Sequence, residues 1–149
     1  MKLNSKGYDL IVKHEGLSLK PYLCPAKIPT IGYGNTYYPN GKRVTLLDEP
    51  ITKDEAIEMF EEIANRFKKA VLKKVTVDLN DNQITAITSF AYNVGMANFI
   101  KSTLLKKINE NPNDLQIGNE FEKWVFAGGK RLKGLENRRK SEKDLYFKK

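Results

Sequence analysis

The chain reads as a mainly helical α+β protein in which a small antiparallel β lobe and a helical lobe are joined by one long helix. Three observations predict this. Residues 17–50 turn to Pro, Gly, Thr and Tyr with short β-prone runs; from Thr52 apolar residues recur at three- and four-residue steps; and the remainder is punctuated by helix caps. At 149 residues the chain can bury roughly 70% of its unfolded surface, enough for one compact domain or two small lobes sharing a core.

In chain order, residues 5–15 are predicted as a helix: Tyr8, Ile11, Val12 and Glu15 share one face, Ser5 is placed to cap it and Gly16 to stop it. Turns are expected at Cys24-Pro25, Gly34-Asn35 and Pro39-Asn40-Gly41, between strands formed by TIGY and KRVTLL. Thr52 and Glu55 make a capping box for a helix that repeats Ile57, Phe60, Ala64, Phe67 and Val71, with acids leading and bases trailing as the helix dipole prefers. Asn80 with Gln83 caps an apolar helix ending at Gly95, Ser102 opens another, Asn113 begins a third that stops at Gly128-Gly129, and Gly134 precedes the last. The expectation is a single domain, with the β lobe at about residues 16–51, the bridging helix at about 52–74, and the helical lobe at about 75–149 plus the N-terminal helix 1–15.

Cys24 is the only cysteine, so no intrachain disulfide forms and folding needs no oxidising compartment. No apolar run approaches the ~18 positions of a membrane helix, and MKLNSKGYDLIVKHEG has neither the apolar core nor the cleavage site of a signal peptide. The expectation is a soluble chain that does not insert into a membrane. Its formal net charge is +8, and the final twenty residues hold nine Lys or Arg against three acids. This points to an anionic partner, for which nucleic acid and bacterial envelope qualify equally, or to simple solvation of the surface.

Glu15 stands out as a candidate acid. A helix C-terminus and an apolar face shared with Tyr8 and Ile11 both disfavour the charged form of a carboxyl, and a general acid must hold its proton near neutral pH. The plain alternative is a solvated glutamate. His14 adjoins it, but neighbouring helical residues point about 100° apart, so His14 is read as a surface residue.

Eight residues separate Glu15 from Cys24 and five more separate Cys24 from Thr30, within HEGLSLKPYLCPAKIPTIGYGNT. This resembles the Glu, Asp-or-Cys, Thr signature of phage-type lysozymes, glycoside hydrolase family 24. The EG pair, the PY and the TIGYG run carry the resemblance most specifically. ITKDEA, NDNQITAITSFAYNVG, STLLKKIN, Trp124 with Ala127-Gly128-Gly129, and GLENRRKSE extend it through most of the chain.

The resemblance implies a two-lobed lysozyme fold with a substrate cleft between the lobes. It implies hydrolysis of the β-1,4 bond from N-acetylmuramic acid to N-acetylglucosamine in peptidoglycan, used for host cell lysis, without metal or cofactor. Carried over position by position, Glu15 would protonate the departing sugar oxygen, Cys24 would hold the second catalytic position, and Thr30 would hold the attacking water. Arg138 would support Glu15 by pairing with it, and Thr36, Tyr92 and Ser102 would line the sugar-binding cleft, although Ser102 could equally cap the helix after it. No stable nucleic-acid partner is implied. A monomer would wait in the host cytoplasm until a holin permeabilises the membrane and then act on the wall in the periplasm.

Two positions differ from many relatives, although some members of the family share the Cys and activity is still expected. Asn35 replaces the His of GYGHT, which alters a polar contact beside the cleft, and Cys24 offers a thiol where an aspartate would be charged. Two rivals stand beside the hydrolase. A lytic transglycosylase would close the sugar on itself and have no use for the water-holding Thr30. A non-catalytic basic protein binding cell wall or nucleic acid would not require Glu15, Cys24 and Thr30 together.

Overall fold

The computed structural model describes residues 5–148. Helix α1, Ser5–Glu15, ends where expected: Gly16 takes φ +69° and its N–H donates to Val12 O at 3.0 Å. That left-handed conformation suits glycine and sets the direction in which the chain leaves Glu15. The capping role of Ser5 and the facing of Tyr8 lie outside the described residues.

Strands β1, Ser18–Leu23, and β2, Pro29–Gly32, pair antiparallel with Tyr22 opposite Thr30, and their register is irregular between Ser18 and Tyr22. Pro21 is tolerated because a two-stranded ribbon has open edges on which no ladder bond is lost. The turn between them is closed by Lys27 N–H donating to Cys24 O at 2.7 Å. The Pro39-Asn40-Gly41 turn also forms, with Gly41 N–H on Tyr38 O at 2.9 Å. The predicted KRVTLL strand does not: only an isolated bridge, Tyr37 to Arg43, appears there. The Asp48 carboxylate accepts from Thr45 N (2.9 Å), Thr45 Oγ1 (2.7 Å) and Tyr38 Oη (2.6 Å), so local side-chain bonds coil this segment instead of a strand ladder.

Helix α2, Lys53–Lys74, carries the Thr52/Glu55 capping box, and its 22 residues span about 33 Å at 1.5 Å per residue. Helix α3, Asp81–Val94, carries the Asn80/Gln83 box and ends at Gly95, φ +91°. A short helix α4, Met96–Lys101, follows, which the sequence reading passed over. Ser102 caps α5, Thr103–Glu110, by accepting from Leu105 N at 3.1 Å.

The helix expected from Asn113 to Gly128 is much shorter. Only α6, Gln116–Glu122, forms. Asn111 Oδ1 accepts from Asn113 N at 3.1 Å and Asp114 Oδ1 from Gln116 N at 2.9 Å, so the segment opens as turns. After it, β3, Phe126–Ala127, and β4, Lys130–Arg131, form a hairpin whose two central residues, Gly128 (φ +58°) and Gly129 (φ +78°), make the turn. Helix α7, Lys133–Tyr146, closes the fold, with Gly134 inside its first turn, not ahead of it.

Two cores result. One gathers Ile11 of α1, Ile31 and Tyr33 of the β region, and the N-terminal half of α2 around Phe60; the other gathers α3, α5, α6 and Tyr146 of α7 around Phe90. Phe67 of α2 packs against both. Phe90 is fully buried and meets the rings of Phe99, Phe121 and Trp124 edge-on at 5.5–6.3 Å. Phe90→Ala should cost about 3–5 kcal/mol, the usual penalty for an aromatic-sized cavity, read as a lowered urea midpoint. A loss below about 1 kcal/mol would show that the second core can collapse around the gap.

Candidate active site

The site begins with the first and last helices. Glu15, the final residue of α1, keeps 15% side-chain exposure and is ion-paired to Nη1 of Arg138 on α7, as the resemblance implied. Arg138 is buried. Burial opposes its charge, and the Glu15 and Glu142 carboxylates more than offset that, holding its pKa above the ordinary value. Its Nη2 donates to Ser89 O at 3.1 Å, which fixes the guanidinium against α3.

The β1–β2 hairpin supplies the facing wall. Cys24, half-buried, starts the hairpin turn, its N–H on Ile28 O at 3.1 Å. Thr30, 2% exposed, donates its hydroxyl proton to Ile28 O at 2.8 Å. The lone pairs of Oγ1 are thereby left to accept from a water, turning that water's own lone pair outward. Glu15, Cys24 and Thr30 border one cleft of about 1050 Å³, walled by the hairpin on one side and by β3, α7 and Trp124 on the other.

Thr36 and Tyr92 line the same cleft. Tyr92 Oη donates to Tyr33 O at 2.7 Å and accepts from Asn35 Nδ2 at 2.8 Å. Asn35, where the resemblance expects His, therefore holds the cleft tyrosine together with the Tyr33 carbonyl. Burial first, then the nearby Glu15, raise the pKa of Tyr92, so its hydroxyl stays neutral. Tyr22, also on the cleft, is raised by burial and then by Glu15 and Cys24.

Ser102 is not brought to this cleft. It is buried at the start of α5, with its hydroxyl donated to Phe99 O at 2.6 Å, so of its two expected roles the capping one accounts for it. The reading of His14 also needs correction. It is partly buried in the cleft wall, and burial, with Arg138, Lys13 and Arg139 nearby, lowers its pKa to about 4.

Sequence reasoning missed three features. Trp124 and Phe126 line the cleft, with Phe126 60% exposed; in sequence the WVFAGG run reads as the end of a helix, which hides them. Gly34 takes φ +74° and approaches Glu15 so closely that a Cβ there would overlap the carboxylate. The basic tail is also less free than its charge implies. Arg138 and Arg139 are buried, Arg131 and Lys133 pair with Glu136, and Lys143 with Glu122.

Comparison with known proteins finds relatives along the whole chain. The phage lysozyme family model matches residues 12–142. The chain is 38% identical to an endolysin of Acyrthosiphon pisum secondary endosymbiont phage 1, covering 98% of both proteins. It is 37% identical to the endolysin of Bacillus phage PZA over 98% of this chain, but spans only 55% of that protein's length. Its structure superposes on the endolysin from Escherichia coli O157:H7 phage FAHEc1 with a TM-score of 0.84 at 34% identity, covering 99% of this chain and 94% of the other. For the P1 phage endolysin Lyz, 26% identical, the TM-score is 0.74 against the active form (96% of this chain, 83% of that one) and 0.60 against the secreted inactive form (97% and 94%). With the mainly helical fold, the small antiparallel sheet and the cleft all in place, the chain belongs to the phage lysozyme family.

Proposed function

We propose that this chain is a muramidase that cleaves the β-1,4 bond between N-acetylmuramic acid and N-acetylglucosamine of peptidoglycan, for lysis of a host cell. The observation that carries the reading is the placement of Glu15, Cys24 and Thr30 around one cleft, with Arg138 holding Glu15 from behind. Glu15 is the general acid, protonating the departing sugar oxygen. Thr30 accepts a hydrogen bond from the attacking water, and Cys24 occupies the second catalytic position. Thr36 and Tyr92 border the bound glycan. The chain acts as one domain, with the β lobe at about 16–51 and the bridging helix at about 52–74 setting the cleft width.

A transglycosylase is disfavoured because Thr30 is arranged to accept from a water that transglycosylation does not use. A purely binding protein has no need of a buried arginine behind a cleft carboxylate. The cleft carries all three candidate catalytic residues without a second copy, and the protein acts as a monomer in this proposal. No described helix is long and apolar enough to cross a membrane; release through a holin is part of the proposal. Accumulation in the host cytoplasm before that release belongs to the same proposal.

Two experiments test this reading. Glu15→Gln should lower clearing of outer-membrane-permeabilised Gram-negative cells by several orders of magnitude without unfolding, since the general acid is gone. Mass spectrometry of digested peptidoglycan should show reducing muramic ends; anhydro-muramic ends, or activity surviving in the variant, would sink it. The second concerns Cys24. A water held by Thr30 attacks directly, so the fresh product should be the α anomer by proton NMR, Cys24→Asp should stay active and Cys24→Ala should lose most activity. Initial β product, or a glycosyl adduct on Cys24 in intact-protein mass spectrometry, would make the thiol a nucleophile.

A further inference from the structure

Behind the cleft lies a carboxylate with no part in the proposed chemistry. Glu142 sits on α7 one turn beyond Arg138 and is fully buried. Its Oε2 accepts from Ser89 Oγ at 2.6 Å and from Arg138 Nε at 3.3 Å, and Arg139 Nε lies 2.8 Å from its Oε1. Arg139 is itself fully buried, its guanidinium 5.0 Å over the Phe90 ring and donating to Asn93 Oδ1 at 2.9 Å. The three nitrogens of Arg138 are thus divided: Nε goes to Glu142, Nη2 to Ser89 and Nη1 to Glu15.

We propose that Glu142 is a positioning residue for the proton donor: with Ser89 it locks the Arg138 guanidinium so that Nη1 is the nitrogen offered to Glu15, and it balances Arg139. Glu15 therefore faces one uncompensated cation instead of two. The proposal rests on Glu15 being the general acid. Two guanidiniums and two carboxylates sum to zero when Glu15 is ionised, and to one positive charge when it holds the proton. Without Glu142 those sums rise to one and two. Buried guanidiniums that lose a carboxylate partner lean on the one that remains, which favours the ionised Glu15 that cannot donate.

The titratable and charged groups that share the cleft with Glu15 or act on it are Lys13 and His14 on α1, Tyr22 on β1, Cys24 in the hairpin turn, Tyr92 on α3, and Lys133, Arg138 and Arg139 on α7. Both tyrosines are held neutral, and His14 is neutral above about pH 4. Cys24 is common to every variant compared. The two arginines are the charges that Glu142 can redistribute.

The test is the pH profile of kcat/KM for glycan hydrolysis in the wild type, Glu142→Gln, Glu142→Asp and Arg139→Gln, with thermal unfolding measured alongside. Glu142→Gln should move the alkaline limb down by about one pH unit, about tenfold in activity on that limb, through kcat with KM little changed. Glu142→Asp should restore most of the position. Arg139→Gln leaves Glu142 to compete more fully for Arg138, so its limb should move up. A merely structural role would lower activity evenly across pH in both variants, and unmoved limbs would overturn the proposal. Should Glu142→Gln fail to fold, the Arg139→Gln limb decides alone. Activity surviving in Glu15→Gln would instead bring down the functional reading; an inactive Glu15→Gln beside an unmoved Glu142→Gln limb would reject Glu142 alone.

Discussion

The ion pair between Glu15 and Arg138 joins residues 123 positions apart, tying the end of the first helix to the last helix. Burying two charged groups in partial isolation from water is unfavourable unless both find close partners. The rest of the structure is arranged around meeting that requirement. Helix α3 runs beneath the pair and offers the Ser89 carbonyl to Arg138. Phe90, the next residue of α3, turns into the aromatic core and carries Arg139 on its ring face. Stability and placement of the acid thus draw on the same helix. Removing either partner of such a pair leaves an uncompensated buried charge, commonly about 3–5 kcal/mol.

The β lobe is held to this platform by polar contacts as well as packing. Tyr92 of α3 reaches across to donate to Tyr33 O and accept from Asn35, while its ring packs between Phe60 and Phe67 of α2. The cleft wall carrying Thr30 is therefore referenced to the same helix that positions Arg138. The strand that holds Thr30 ends at Gly32, φ +67°, and the chain turns through Tyr33 to Gly34, φ +74°. At Gly34 only a hydrogen fits beside the Glu15 carboxylate. The glycines of TIGYG serve packing and path, bringing the β strand against the acid without a side chain between them.

Much of this was legible in the residues, because local signals and tertiary structure agree where the signals are strong. The capping boxes at Thr52 and Asn80 form as read, since Ser, Thr and Asn caps act through bonds three residues away and need no knowledge of the fold. The reading failed where partners are distant or weakly patterned. SLKPYL carries a proline and was not singled out as a strand, KRVTLL has β-prone residues but loses its pairing to Asp48, and WVFAGG reads as a helix stop until Gly128 and Gly129 prove to be a hairpin turn. The angle between His14 and Glu15 along the helix predicts a surface residue, but that criterion is local and says nothing about α7 packing alongside α1. The RRKSE run places Arg138 and Glu142 four apart, helical neighbours, so their pairing was available from spacing; their complete burial was not.

The fate of the positive charge bears on how such a protein holds an anionic wall. Composition suggests attraction by a basic tail, yet two of its arginines are internal, Arg131 and Lys133 share Glu136, and Lys143 pairs with Glu122. Surface pairs of that kind contribute little to stability, but they also reduce the field available to draw in a polyanion. Under the proposed function, recognition then falls more heavily on the cleft itself. Its walls combine aromatic faces from Trp124 and Phe126 with hydroxyls from Thr30, Thr36 and Tyr92. A glycan has apolar ring faces and polar edges, and a surface alternating aromatic and hydroxyl groups matches both. The two arginines and two carboxylates clustered at Glu15 cancel one another and order the site, so the net charge of +8 lies outside that cluster while the cleft walls themselves are aromatic and hydroxyl-bearing.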